Sequence, residues 1–474
     1  MSKRKYFGTY VTRKLLVCCL IFFMLFPTLV GKEVSAATGE EIAKTKHEVT
    51  VMIYLNGSNL ESEYGAASLD LKEILQAKLP SNVNVVIQTG GTRKWYTKGI
   101  SSKTSQRFIV ENKKLKCIST NLGQLDMTDS NTLKDFITYS KVKYPADRYM
   151  LVMWNHGGGP VYGFGYDEFQ DEEASLTIAE MRDALKNSGV HFDWIGFDAC
   201  IMGSLEIAYT LSDYSDYLIA SEDFESGYGW EYKNWLTALG NNTSISTKDL
   251  TTILIDDFVK ETKQAKDKGI LSVLDMKQVK QLFKAWTTFA YANKDKLTDT
   301  NYQFELEESS RALNRKAGKK DTVDLKTYGA VDLMATASTL KTTEAVELEK
   351  ALASTILYTS STTEDSKMTG LAVTLPYGDF EVWQGIEVML TECGFDSEYI
   401  AFVKQFADLS TDSYEEYDWD EWDFDGWDDY WDDNYDSDDD YYDDWYDDDW
   451  YDDDDWYDSN DWYNNDWYSD YYNY

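Results

Sequence analysis

The sequence predicts an α/β protein with a mostly parallel sheet flanked by helices, and three observations carry that expectation. Short apolar runs of strand type, among them Val49–Leu55, Val83–Gln88, Tyr149–Trp154 and Phe192–Phe197, alternate with amphipathic helical stretches. The first two runs bracket a helical stretch, the pattern of a right-handed βαβ unit. The last two each deliver a reactive side chain just beyond the carboxyl end, His156 and Cys200. Open α/β sheets place their chemistry along that edge.

Taken in order, Met1 to Ala36 has the make-up of an export signal. Lys3, Arg4, Lys5, Arg13 and Lys14 precede the apolar run Leu15 to Phe26, and Val34-Ser35-Ala36 offers small residues for cleavage. That run is too short to span a bilayer comfortably, and Pro27 interrupts its extension, so no membrane span is expected after signal removal. Residues 37–46 form a linker. Cys117, Cys200 and Cys393 then remain, an odd number that is no disulfide framework. A Cys117–Cys393 bridge stays open, and burial of both as core residues is the alternative.

After the Val49–Leu55 strand, Ser58-Asn59-Leu60-Glu61 has the form of a capping box opening a helix with Leu60, Tyr64, Ala67, Leu71 and Leu75 inward. Arg107 to Ile118 predicts a hairpin turning at Glu111-Asn112-Lys113-Lys114. A helix from Thr132 to Tyr144, with Leu133, Phe136 and Ile137 inward, leads into the strand before His156. A glycine-broken loop, Gly157 to Gly165, is followed by an acidic stretch holding Asp167, Glu168, Asp171, Glu172 and Glu173. Thr177-Ile178-Ala179-Glu180 then caps a helix that stops at Gly189. Tyr217 to Ala220 is the next strand. Residues 47–240 make up the core with these elements, and 241–410 an α/β extension. In the extension, helices are expected at Thr247–Lys266, Lys277–Asn293, Val331–Leu340, Glu344–Tyr358 and Ser397–Leu409, and strands at Ile270–Leu274 and Gly370–Leu375.

The chemistry explains why these residue types belong together. A thiol attacks a carbonyl as thiolate, so an imidazole must take its proton and later return one to the leaving amine. Ile201, Met202, Leu205, Ala208 and Leu211 follow Cys200 at amphipathic spacing, which predicts the sulfur at a helix N-terminus, where the dipole favours the anion. The glycines after His156 let a backbone N–H approach the substrate, so the N–H groups of Gly157 and Cys200 are candidates for an oxyanion hole. Asp198, two positions before Cys200, shares its face if the strand reaches that far. A carboxylate there suits a pocket for a Lys or Arg side chain. Glu222, Asp223 and Glu225, beyond the Tyr217–Ala220 strand, are further candidates for reaching such a side chain together with Asp198, against the alternative of solvated loop charges. His191 is expected to be a surface histidine.

These motifs resemble the clostripain-like cysteine peptidases, relatives of caspases, gingipains and legumains. The resemblance rests on Trp154-Asn155-His156-Gly157-Gly158-Gly159 and Asp198-Ala199-Cys200-Ile201-Met202, with weaker echoes at Tyr54–Glu61, Tyr144–Tyr149, Ala220–Glu222 and Gly229-Trp230. His156 precedes Cys200 by 44 positions, and caspase-type histidines precede their cysteine by a similar interval. The resemblance implies a caspase-haemoglobinase-like fold, a His156–Cys200 dyad working through a thioacyl-enzyme, Asp198 at the base of the specificity pocket, and cleavage after Arg or Lys. Some such enzymes cut themselves after a basic residue between the two motifs. Here the acidic loop has no Lys or Arg, so activity as a single chain is expected.

Thr411 to Tyr474 is a different material: 29 acidic residues, no Lys or Arg, nine tryptophans and fourteen tyrosines, against a net charge of −39 for the whole chain. Self-repulsion this dense, without aliphatic residues to form a core, predicts a disordered tail. It could serve as a spacer, or its aromatics and aspartates could engage a cell-wall polymer or a basic partner. A polyanion repels phosphates, which argues against nucleic acid as partner. The expectation is a secreted or cell-surface monomeric endopeptidase acting on proteins or peptides. It needs no cofactor that the residues specify, and Ca²⁺ is left open because no loop has ordered Ca²⁺-ligand spacing. The competing reading is a non-catalytic surface adhesin on a peptidase-like scaffold, binding through the tail.

Overall fold

The computed structural model describes residues 47–170, 174–299, 329–338, 340–363, 368–376 and 380–408. The expected export signal, the linker, Asp171, Glu172, Glu173 and the acidic-aromatic tail lie outside them. Eleven strands are described: β1 (His47–Asn56), β2 (Val83–Gly90), β3 (Gln106–Glu111), β4 (Lys114–Ser119), β5 (Ala146–Trp154), β6 (Phe192–Asp198), β7 (Ser215–Ala220), β8 (Ile270–Asp275), β9 (Ala330–Asp332), β10 (Ile356–Ser361) and β11 (Ala372–Thr374). Nine of them form one sheet in the order β10-β8-β7-β6-β5-β1-β2-β3-β4, and β9 and β11 pair separately.

The centre of the large sheet, β2-β1-β5-β6-β7, is parallel, and each margin is completed by antiparallel pairs. A parallel sheet is covered on both faces, so its strands are apolar throughout rather than alternating. In β1 the residues from Val49 to Asn56 are all buried. Met52 and Tyr54 enter one hydrophobic core, and Val51, Ile53 and Leu55 enter the other. At roughly 1.5–3 kcal/mol for each fully buried aliphatic side chain, a charge at Ile53 would undo the sheet from its middle. The first core also takes in Trp286, Leu348, Trp383 and Phe406, so residues beyond 240 pack against the same sheet face as the earlier ones.

Most boundaries follow local chemistry. The β3–β4 hairpin turns on Asn112 and Lys113, with φ of +52° and +61°, the left-handed pair that a two-residue turn between twisted strands requires. Thr177 and Glu180 exchange a complete capping box at the start of the helix Ile178–Ser188, and Gly189 ends it with φ of +61°. The outer strand β4 is largely exposed, and Lys114 and Lys116 stand on it.

Four expectations need correction. The helix after β1 is two helices, Ser58–Ser62 and Ala66–Gln76, and its first turn has no side-chain cap. The Glu61 carboxylate instead accepts from Ser68 N at 2.9 Å, Ser68 Oγ at 2.6 Å and Tyr96 N at 2.7 Å. Ala330–Asp332 is a strand, and the helix that follows is the short Ala335–Ser338. A brief apolar run does not distinguish strand from helix, and Asp332 closes this one by accepting from Ala335 N at 2.7 Å. The helix expected to reach Tyr358 stops at Thr355, because the chain from Ile356 pairs antiparallel with β8. Cys117 is exposed on β4 rather than in the core, and it, Cys200 and Cys393 are all free thiols.

Candidate active site

The register of the parallel strands brings the two motifs together. Leu55 pairs with Trp154, and Trp154 with Asp198, so β1, β5 and β6 end side by side. Beyond β5 the buried Asn155 fastens the exit of the chain, its Nδ2 donating to Asn56 O at 2.6 Å and Tyr166 O at 3.1 Å. His156 follows, and then Gly157, where the approach is so close that a Cβ would lie 1.9 Å from the Cys200 carbonyl oxygen. Only glycine fits. Among the described residues, neither the Gly157 nor the Cys200 N–H has a backbone acceptor.

Cys200 is not at a helix N-terminus. It lies in the turn after β6, and the next helix, Leu205–Leu211, starts only after Ser204, whose side chain caps Ile207 N. Helix-dipole effects fade within a turn, so the dipole is not what tunes this sulfur. The turn is held by Ile201 N donating to Asp223 O at 2.9 Å and Gly203 N donating to Ser221 O at 2.6 Å. Ile201 itself has φ of +50°, a strained conformation for a β-branched residue, of the kind that concentrates at functional sites. Glu225 N–H donates to Cys200 Sγ at 3.3 Å. Burial, then the neighbouring Glu225, Asp223 and Asp198 carboxyls, push the Cys200 thiol up to about 12. Burial alone pushes His156 down to about 4. Both shifts favour the uncharged forms, a thiol on Cys200 and a neutral imidazole on His156.

Asn59, inside the stretch expected to be a capping box, holds its Oδ1 2.8 Å from His156 Nε2. Sequence reasoning missed it as a site residue. The available signal was its place just beyond the carboxyl end of β1, on the same edge as the two motifs.

Asp198 ends β6, buried below this edge. Tyr232 Oη donates to its Oδ2 at 2.7 Å and Trp230 N at 3.5 Å. Burial raises it to about 7. Glu225 lies against it, its carboxyl oxygens buried without a well-formed hydrogen bond and its pKa raised by burial and by Asp198. Asp70, accepting from Trp154 Nε1 at 2.6 Å, is raised by burial and then by Asp198. Asp198 thus has buried carboxyls on either side, Glu225 and Asp70; Asp198 and Glu225 also act on the thiol, and among the described residues no lysine or arginine is one of the main groups acting on the three.

A family model described as the clostripain family matches residues 53–462. The chain belongs to the clostripain family of cysteine peptidases. Clostripain from Hathewaya histolytica is 26% identical over 234 residues, which cover 42% of this chain and 44% of that protein, so the match spans less than half of the curated relative. The secreted C11 cysteine protease iotapain of Bacteroides thetaiotaomicron superposes with a TM-score of 0.54 at 18% identity, covering 69% of this chain and 93% of that one. An inactive zymogen C11 protease from Parabacteroides distasonis gives 0.54 at 20% identity, covering 76% and 99%. At that identity the two structures speak for the fold: a large, mostly parallel sheet flanked by helices.

Within this clostripain-family chain the remaining acidic candidates have other partners. Glu222 accepts from Gly370 N at 2.6 Å and faces Asp332, and both are buried. Asp223 lies nearer the thiol. Its carbonyl receives Ile201 N, its Oδ1 receives Phe224 N at 2.8 Å, and its charge acts on Cys200. His191 is exposed, 3.4 Å from Asp216. Among the described residues no three His, Cys, Asp or Glu side chains are grouped to hold a metal ion, and no helix is long and apolar enough to cross a membrane.

Proposed function

We propose that this protein is an exported endopeptidase that cleaves after Arg or Lys, with His156 and Cys200 as its catalytic dyad. The observation that carries the reading is the group of buried carboxyls Asp198, Glu225 and Asp70 near the thiol, where among the described residues no lysine or arginine is one of the main groups acting on them. A buried carboxylate demands a partner, and a guanidinium or ammonium entering from the substrate supplies one. Export is supported by the amino-terminal pattern of basic, apolar and small residues, and by related structures described as secreted proteases.

Because thiol and imidazole are both neutral at rest, the proton leaves Sγ for His156 as the sulfur attacks the scissile carbonyl. Negative charge develops on the carbonyl oxygen next to the N–H groups of Gly157 and Cys200. His156 then returns the proton to the departing amine, and water, activated by the same imidazole, hydrolyses the thioacyl-enzyme. Asp198 has to ionise before it can pair with a basic side chain. Cys200→Ala is expected to lower cleavage of an Arg-containing fluorogenic peptide by roughly 10⁴-fold or more while leaving the thermal transition in place. Cleavage by that variant at the wild-type rate overturns the assignment.

A further inference from the structure

We propose that Asn59 is a positioning residue for the reaction, holding His156 in the tautomer whose proton sits on Nε2 so that Nδ1 takes the thiol proton. The inference rests on the dyad reading above and concerns a residue outside it. Its basis is the 2.8 Å contact between Asn59 Oδ1 and His156 Nε2, made across the mouths of two adjacent parallel strands.

The segment that presents Asn59 is held rigidly. Gly57 N donates to Gly90 O at 2.9 Å, and a Cβ on Gly57 would lie 2.7 Å from Thr92 Cγ2. Ser58, fully buried, is in the left-handed region at φ of +46°. A non-glycine residue kept there stores strain, and such residues persist where the surrounding structure dictates them. One helical turn later Glu61 is tied down by its three bonds to Ser68 and Tyr96. Asn59 is thus fixed between two anchors, and its amide has little freedom to leave the ring.

The chemistry gives that contact a purpose. A neutral imidazole carries one proton, and the nitrogen that carries it cannot act as base. An amide oxygen only accepts, so facing Nε2 it keeps the proton there and leaves the Nδ1 lone pair for the thiol. When the proton arrives from Cys200, Nε2–H still donates to Asn59 while positive charge builds on the ring. The amide supplies this without adding a formal charge to a site already crowded with carboxyls. An aspartate in its place would stabilise the imidazolium at rest.

The chain has three histidines, so the imidazole nitrogens can be assigned by ¹⁵N NMR on the intact protein. At pH 7 the wild type is expected to show His156 neutral and protonated on Nε2. Asn59→Ala should give a mixture of tautomers and a kcat lower by about 10- to 100-fold, with KM for an Arg peptide nearly unchanged. Asn59→Asp, which keeps the acceptor, should restore the Nε2–H form and raise the pH at which His156 titrates by one unit or more. A wild-type proton on Nδ1, or an Asn59→Ala variant with unchanged tautomer and kcat, overturns the proposal. A wild type inert toward basic peptides overturns the peptidase reading instead, and the tautomer measurement tells the two failures apart because it needs no turnover.

Discussion

Two pairs of buried carboxyl groups flank the turn that carries Cys200, and their hydrogen bonds differ. Glu222 receives Gly370 N–H on one oxygen and leaves its buried Oε2 without a well-formed hydrogen bond, while Asp332 receives Thr369 N–H at 2.6 Å, Thr369 Oγ1 at 2.8 Å and Ala335 N–H at 2.7 Å. Their donors all come from the later part of the chain, so this pair fastens the end of β7 to the small β9–β11 sheet. Asp198 has one good donor, Tyr232 Oη, and one long one, Trp230 N, and Glu225 has buried oxygens with none well formed. A carboxyl whose lone pairs are filled by backbone N–H groups is a structural joint. One left short of donors is available to a charge from outside. Acidity alone does not separate the two pairs; the donors that each pair holds, four against two, do.

The contrast can be broken most decisively at Asp198. Asp198→Asn should reduce kcat/KM for Arg and Lys peptides by about 10²- to 10³-fold, the cost of removing one member of a buried ion pair. The same variant should melt no lower than wild type, because it removes a buried charge the folded protein does not satisfy. A lower melting temperature with unchanged kcat/KM would exchange the roles of the two pairs. Next in size, Glu222→Ala should destabilise the fold by about 2–3 kcal/mol in chemical denaturation, since it strands the buried Gly370 N–H, with KM for basic peptides unaltered. A large rise in KM would place Glu222 among the residues that contact substrate.

The smallest effect sharpens the contrast through pH. Asp198 sits near 7 in the folded protein, above its ordinary value in the unfolded chain. Between those two values the folded protein keeps a proton that the unfolded chain releases, so this group's contribution to stability falls as pH rises through that window. Activity on basic substrates is expected to move the opposite way, rising through about 7 if Asp198 must ionise to pair with them. Tyr232→Phe removes the donor that favours the ionised form, so the acid limb of kcat/KM should move up by about one unit or less. A limb that stays in place would show that another group controls it.

Much of the fold could be read directly because the parallel strands are buried on both faces and spell mostly apolar runs, broken only at single positions such as Asn84 and Asp193. Val49–Leu55, Val83–Gln88 and Phe192–Phe197 sit within β1, β2 and β6 with ends shifted by no more than two residues. The helix Ile178–Ser188 was legible for a local reason, a reciprocal cap at one end and a glycine at the other. The hidden parts depended on tertiary partners. Ile356–Ser361 becomes a strand because β8 offers it an open edge, and Glu61 gives up its expected cap because Ser68 and Tyr96 are better placed to donate. At the site, the motifs named His156, Cys200 and Asp198, whose meeting is set by sheet register. Glu225 was among the carboxylates expected beyond the Tyr217–Ala220 strand, whereas Asn59 reaches the site from the short helix after β1, and no spacing along the chain announces it. The amphipathic run after Cys200 misled because its first two apolar residues, Ile201 and Met202, lie in a strained turn, and the helix begins only at Leu205.

The lysines on β4 have a consequence for life at high concentration. A sheet that ends in an uncovered strand offers its amide and carbonyl groups to any passing neighbour, and Lys114 and Lys116 put like charges along that rim. Two copies meeting along β4 would have to strip water from Lys114 and from the Lys116–Glu111 pair, so this edge resists such pairing.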